Sequence, residues 1–479
     1  MLLERAALAL AVLVAPQQDQ RPEPKRGLIR NEPEAMQGYT LIAPLQSLTV
    51  YLVDMEGRVV HQWLTRYAPG SEYLLPNGNL LRCSREPNAP RFKAGGACGR
   101  LQEIAWDGSV VWDWAYADDK HWQHHDLSVT PDGTILFIAW ELKQRSEAFD
   151  AGRAPQSLSK EGLWADSVIE VQPSPPSGAD IIWEWRVWDH LIQDRDPERK
   201  NFGKVAEHPE LIDINADLGR ELPSDEEVAK LKQLGYVGGA APGRGERQAD
   251  WLHMNAIDYN AELDQIVVSS PHMNEVWILD HSTTIGEAAS HQGGNGGRGG
   301  DLLYRWGNPR NYRAGAAEDR QLFYQHNARF IRPGLSGAGN LLIFNNGAER
   351  ASTPYSSVIE LVLPGHGPDG YARLANGRFG PESPVWEYTA PDKASLFSSF
   401  ISGAQRLPNG NTLICEGQTG RVIEVTRDGK VVWEYLHTLG METPALQGRN
   451  EPPNALFRAT RIPRDHPGLA GKDLSPKHR

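Results

Sequence analysis

The sequence predicts an all-β fold, a six-bladed β-propeller, on three observations. A strand, turn, strand unit returns along the chain, a second unit ending in tryptophan follows it, and the two chain ends each carry part of one split copy. Repeats spaced by roughly 40 to 50 residues mark a propeller or a solenoid.

The first unit is clearest from Gly403 to Ile414, with Leu407-Pro408-Asn409-Gly410-Asn411 at its turn, and it returns from Tyr73 to Leu81 and from Leu127 to Leu136. Proline presets φ there, and an Asn-Gly or Asp-Gly pair tolerates the positive φ of a tight hairpin. The second unit runs from Gly420 to Tyr435. Its relatives are Gly99 to Trp114 and the copies ending Trp183-Glu184-Trp185 and Trp386-Glu387-Tyr388. Together the units supply four short strands, the content of one blade.

Inner strands are expected near 73, 127, 256, 328, 403 and 459. The last, Phe457 to Pro463, has no second unit after it, whereas Leu48 to Trp63 near the start has no first unit before it. A C-terminal strand that completes the first blade closes the ring and removes a sheet edge. One domain is therefore expected over 37–466, with a C-terminal tail at 467–479.

Composition agrees with a turn-rich globular chain, with 47 Gly, 34 Pro, 15 Trp and 40% hydrophobic residues. The 61 acidic and 49 basic residues give a net charge of −12 without a long run of either sign, which argues against a nucleic-acid partner. Residues 1–15 read as an export signal, a short n-region with Arg5 followed by a small apolar run too short to span a bilayer. A periplasmic or extracellular protein with no integral membrane segment after signal removal is expected. The Gln- and Pro-rich stretch at 16–36 reads as a mobile leader.

Of the three cysteines, Cys83 and Cys98 are the pair an oxidising compartment would allow to bridge, and three unlinked buried thiols fit the sequence equally well. Two stretches leave the repeat. An insertion at about 187–248, between blades three and four, contains a predicted helix at Ser224 to Leu234, with Ser224 and Glu227 as a capping box and Gly235 as its stop. The glycine-rich run Gly293 to Gly300 lacks a phosphate-binding ending and reads as a flexible loop.

Histidines stand at one register of three repeats. Counting back seven residues from the turn position at 131, 260 and 333 gives His124, His253 and His326, while the other blades place Pro69, Ile401 and Leu456 there. Any one alone reads as a packed, hydrogen-bonded histidine. Three on neighbouring blades of one ring point to a shared site, with His125 an alternative to His124. His208, His272, His281, His291 and His366 fall in loops or late strand positions and read as surface residues. The strand-end tryptophans recur in every unit and read as packing between blades.

His124-His125-Asp126, Trp251-Leu252-His253-Met254-Asn255-Ala256-Ile257, Val267-Val268-Ser269-Ser270 and Gln325-His326-Asn327-Ala328, with the Pro-Asn-Gly-Asn and Val-Val-Trp-Glu-Tyr repeats, resemble the bacterial aryl-sulfate sulfotransferase family from about Gly38 to Asp465. The resemblance implies an exported six-bladed propeller that moves a sulfuryl group from an aryl sulfate to a phenol without a nucleotide donor. It implies His326 as the histidine transiently sulfated, with His253 and one of His124 and His125 in support. No cofactor or metal is implied. The chain departs from the pattern at Pro271, where an arginine is expected 18 residues after His253. His272, Arg329 and Asn327 are the substitute substrate-binding candidates, and Arg305 a further cation. Two other readings remain: a noncatalytic exported propeller that binds a ligand or partner, and a metal-dependent enzyme using the histidines as ligands, with Asp126 beside His125 as a carboxylate.

Overall fold

Six antiparallel sheets surround one axis in the computed structural model, which describes residues 25–87, 91–218, 248–350, 353–367, 370–440 and 454–477. The inner strands are Leu456–Pro463, Pro69–Leu74, His121–Val129, Ala256–Asn260, His326–Phe330 and Gly403–Arg406, for blades one to six. Leu456–Pro463 pairs antiparallel with Gly38–Pro44, so blade one is built from both ends of the chain.

The tryptophans that end the second repeat unit join neighbouring blades. Trp112, Trp185, Trp306, Trp386 and Trp433 each donate Nε1–H to a backbone carbonyl of the next blade, at Gly178, Gly300, Pro381, Arg427 and Met55, over 2.6–2.9 Å. An indole has one donor to satisfy, and in these five the partner lies across the blade interface. Apolar clusters fill the same interfaces; Leu136, Val168 and Trp185 of blade three pack with Ile257, Val268 and Trp277 of blade four.

Inner strands of blades one, two, three and five carry bulges, between Leu456 and Ala459, Pro69 and Glu72, His124 and Leu127, and His326 and Arg329. A bulge breaks side-chain alternation and re-aims residues toward a new face. Left-handed backbone at His125 (φ 55°), His253 (54°), Asn327 (54°) and Ile401 (48°) marks the same end of four successive inner strands.

The structure corrects three expectations. Gly27–Asn31, read as part of a mobile leader, forms a fifth strand on blade six against Val431–Leu436. The glycine-rich run is tied down, with Gly296 N–H donating to Asp280 Oδ2 at 2.6 Å and Gly299 N–H to Gly293 O at 2.9 Å. His281, read as a surface residue, is largely buried between Glu170 and Asp264. The helix expected at 224–234 and the residues read as an export signal lie outside the described residues. Of the insertion, 187–218 is described as 3₁₀ turns and a short parallel pair, Leu191–Ile192 with Ile212–Asp213. No helix among the described residues is long and apolar enough to cross a membrane.

Candidate active site

The ring axis is blocked midway by side chains from five inner strands. Asp126 accepts from Tyr73 Oη at 2.5 Å, Arg458 Nη2 at 2.9 Å and Arg329 Nη2 at 3.3 Å, and Arg329 lies 3.8 Å from Asp258. Each partner sits on a different blade, so the knot pins the centre of the ring. It also separates two spaces. A broad cavity of about 1060 Å³ opens on the side of the hairpin turns, lined among others by Pro76, Pro131, Arg329 and Pro333. At the other end a small cavity of about 40 Å³ is lined by His125, His253, His326, Arg85, Gly96, Phe400, Ile401 and Phe457, with neighbours.

Three of the four predicted catalytic histidines meet in that small cavity. His124 does not. Its ring is fully buried and stacked on Trp140, with centroids 4.0 Å apart and planes 11° apart. The bulge carries the chain past it and turns His125 inward, 4.5 Å from His253 between ring centroids. His124 Nδ1 and His125 Nδ1 are 2.8 Å apart, so one carries the shared proton. With the proton on His124, His125 presents Nε2–H to the cavity. Burial holds both imidazoles well below the ordinary histidine range, and for His125 the neighbouring His253 adds to this.

His326 opens blade five's inner strand, and its tautomer is set by Asn346. Both amide hydrogens of Asn346 are committed, to Ser398 O at 2.7 Å and Ile401 O at 3.0 Å, so its oxygen faces His326 Nδ1 at 2.8 Å and accepts from it. Nε2 is therefore the bare nitrogen, and it accepts from the backbone N–H of Ile401 at 3.1 Å. Burial lowers the His326 pKa to about 3, so the ring is a neutral base with its lone pair at Nε2. Using that lone pair requires giving up the amide's hydrogen bond, a net exchange of roughly 1 kcal/mol.

His253 is tuned the other way. Burial would lower its pKa, but Asp250 Oδ2, 2.5 Å from Nδ1, outweighs burial and raises it. Burial, and then the charge of Asp250, push the Asp166 carboxyl well above the usual carboxylate range, and its Oδ1 accepts from Met254 N–H at 3.0 Å. One cavity thus holds a neutral imidazole whose bare nitrogen is held by the Ile401 amide and a second imidazole biased to carry a proton. Such divergent neighbours separate base from acid.

The remaining candidates fall outside the cavity lining. His272 is half-buried, stacked on His253 with centroids 4.9 Å apart, its Nδ1 3.1 Å from Trp251 O. Asn327 accepts from Ala404 N–H at 2.8 Å, joining blade five to blade six. Arg329 and Asp126 belong to the central knot, and Arg305 is held by Glu275 and the carbonyls of Pro209 and Leu211. Pro271 sits in a hairpin turn whose Asn274 N–H it accepts. The cation at the cavity is Arg85 instead, from the end of blade two's second strand.

Compared with known families, the chain matches Arylsulfotransferase (ASST) over residues 47–438. It belongs to the arylsulfotransferase family. This makes it an aryl-sulfotransferase-like enzyme with small aromatic substrates. No curated protein matches the chain. Similar solved structures include a protein of unknown function from Bacteroides caccae, 12% identical, covering 88% of this chain and 98% of that one with a TM-score of 0.44. A putative 6-phosphogluconolactonase from Bacteroides fragilis is 10% identical, covering 90% and 99% with a TM-score of 0.38. Virginiamycin B lyase from Staphylococcus aureus is 8% identical, covering 86% and 85% with a TM-score of 0.37. Likeness at this level says nothing about activity.

Three residues of this arylsulfotransferase site are missing from the sequence reading. Asp250 stands three residues before His253, a spacing that a search for carboxylates beside each histidine would find. Asn346 lies in Asn345-Asn346-Gly347, which reads as a turn, and Arg85 ends an ordinary strand. Gly96 completes the wall: its φ is 75°, and a Cβ there would lie 2.1 Å from His125 Nε2.

Proposed function

We propose that the enzyme carries a sulfuryl group from an aryl sulfate to a phenol through a sulfated His326, with no nucleotide donor. The observation that supports this most directly is the pairing of a neutral His326, its Nε2 facing the cavity, with a proton-biased His253 in the same small space.

In the first half-reaction Nε2 of His326 forms a bond to sulfur as the sulfur–oxygen bond to the aryl group breaks. The departing electron pair leaves on the phenoxide, which takes a proton from His253. Nδ1–H stays on His326, donating to Asn346, so the adduct is an N-sulfo imidazolium and remains a good leaving group. In the second half-reaction His253, now neutral, takes the proton of the acceptor phenol. The phenol oxygen attacks sulfur, the bond to Nε2 breaks, and both histidines return to their starting states. Donors aimed at developing oxyanion charge are worth most in a dry site. Arg85 and the Ile401 amide, with His125 Nε2–H when His124 carries the shared proton, are the groups suited to the three sulfuryl oxygens.

Size agrees with this division of labour. About 40 Å³ would hold three or four waters at roughly 10–15 Å³ each, close to a sulfuryl head and too little for an aryl ring as well. The ring would sit against the apolar side formed by Leu45, Phe400 and Phe457. Export to the periplasm or outside the cell belongs to the same reading, and the natural donor and acceptor are phenolic compounds of that space.

The test is His326→Ala, assayed with a chromogenic aryl sulfate and a phenol acceptor alongside a thermal melt. Turnover should vanish while the melt keeps its cooperativity. Full activity in the variant would end the nucleophile assignment.

A further inference from the structure

We propose that His190, His291 and Asp301 form a divalent transition-metal site, remote from the histidine cavity, that clips blade three to blade four. Among the described residues these three are the group whose potential ligand atoms all lie within 4.8 Å of one another. His190 ends the 3₁₀ turn Val187–His190 that follows blade three's outer strand, while His291 and Asp301 flank the glycine-rich run before blade four's outer strand, Tyr304–Trp306.

The orientation of the ligands carries the inference. His190 Nε2 lies 2.8 Å from Ala288 O, and a carbonyl can only accept, so this nitrogen carries the hydrogen. In the neutral ring Nδ1 is then the bare nitrogen, able to coordinate, and it lies 2.8 Å from Asp301 Oδ1. His291 Nδ1 points at the same carboxylate oxygen, also at 2.8 Å, and the two imidazole planes are nearly perpendicular, at 87°. A metal-binding histidine typically donates its other ring N–H to a backbone carbonyl or carboxylate, which fixes ring and tautomer. His190 has that support already.

Packing holds it rigidly. Its ring is fully buried and parallel to Trp185, at 3° and 5.6 Å, and Trp185 donates to Gly300 O next to Asp301. A Cβ at Gly300 would lie 2.6 Å from His190 Nε2, so the close approach depends on glycine. His291 is the adjustable member, its side chain 60% exposed. An ion about 2.1 Å from each ligand separates tetrahedral donors by about 3.4 Å, a shift of about 0.6 Å from the present contacts with the carboxylate. Two imidazoles and a carboxylate with no thiolate suit zinc and its first-row neighbours rather than calcium or magnesium. Exposure at His291 leaves a fourth position to water. The ion would anchor the glycine-rich run to the start of the insertion, a structural role separate from sulfuryl transfer.

Chelator-stripped protein is titrated with zinc chloride by calorimetry, and with cobalt(II) to read coordination from visible absorption. One equivalent should bind and raise Tm, with the same equivalent present in His326→Ala. His291→Ala, an exposed change that leaves the fold intact, should weaken binding at least about 100-fold, and Asp301→Asn likewise. Failure to bind one equivalent would overturn the proposal. So would an equivalent that survives His291→Ala, or one that is lost in His326→Ala, which would move the metal to the cavity.

Discussion

Replacing Asp250 by asparagine isolates the proton that His253 delivers. The carboxylate sits 2.5 Å from His253 Nδ1 in a buried pair and is what raises that imidazole's pKa against burial. At charge-centre separations of about 4 Å the attraction is worth ~4 kcal/mol at an effective dielectric near 20. General acid catalysis contributes about 10²–10⁴-fold, or about 3–5 kcal/mol of barrier, so the two magnitudes meet. The sign follows from the direction of the shift. His253 has a raised pKa, so its acid form persists at low pH and is lost as pH rises through that value; His326 becomes protonated only near pH 3. Wild-type kcat/KM should therefore hold across the acid side and fall on the alkaline side. Asp250→Asn should move the alkaline fall to lower pH and cut the rate about 10²–10⁴-fold at neutral pH for donors with poorly acidic phenols. Donors that release an acidic phenol need no proton and should lose much less. Asparagine keeps an acceptor for Nδ1–H, so the melt should change little. An equal loss for both classes of donor, with an unmoved pH profile, would refute the acid role of His253.

Two further substitutions read the cavity wall. Arg85→Gln should raise KM for aryl sulfates and lower kcat/KM about 10²–10³-fold, as loss of one oxyanion donor does, measured by steady-state kinetics; an unchanged kcat/KM would remove Arg85 from the site. Gly96→Ala places a methyl 2.1 Å from His125 Nε2 at a residue with φ of 75°, so it should lower stability by about 1–3 kcal/mol in denaturant titration and abolish turnover. Retained activity there would mean that the loop and His125 are not in close contact.

The fold was legible because a propeller repeats its signals. Proline-Asn-Gly turns and tryptophan-ended strands recur, and the indoles do join blade to blade as their recurrence suggests. The site was legible only to the register of its strands. A seven-residue count from the turn reached His253 and His326, but in blade three a bulge shifts the inward side chain from His124 to His125. No periodicity foresees a bulge, because the extra residues it inserts cancel the alternation on which the count rests. The same bulged stretches send Arg329 and Asp126 to the central knot, away from the roles their neighbours in sequence suggested. Asp250, Asn346 and Arg85 act on the histidines from other strands or loops. Only coordinates bring Asn346 within 2.8 Å of a ring 20 residues away.

Covalent transfer through His326 is tested most directly by mass spectrometry of the protein after brief exposure to an aryl sulfate with no acceptor present. One SO₃ should appear on the peptide containing His326, be absent in His326→Ala, and disappear when a phenol is added. A wild-type protein that turns over the donor with no adduct on that peptide, or with the adduct on another residue, would contradict the account.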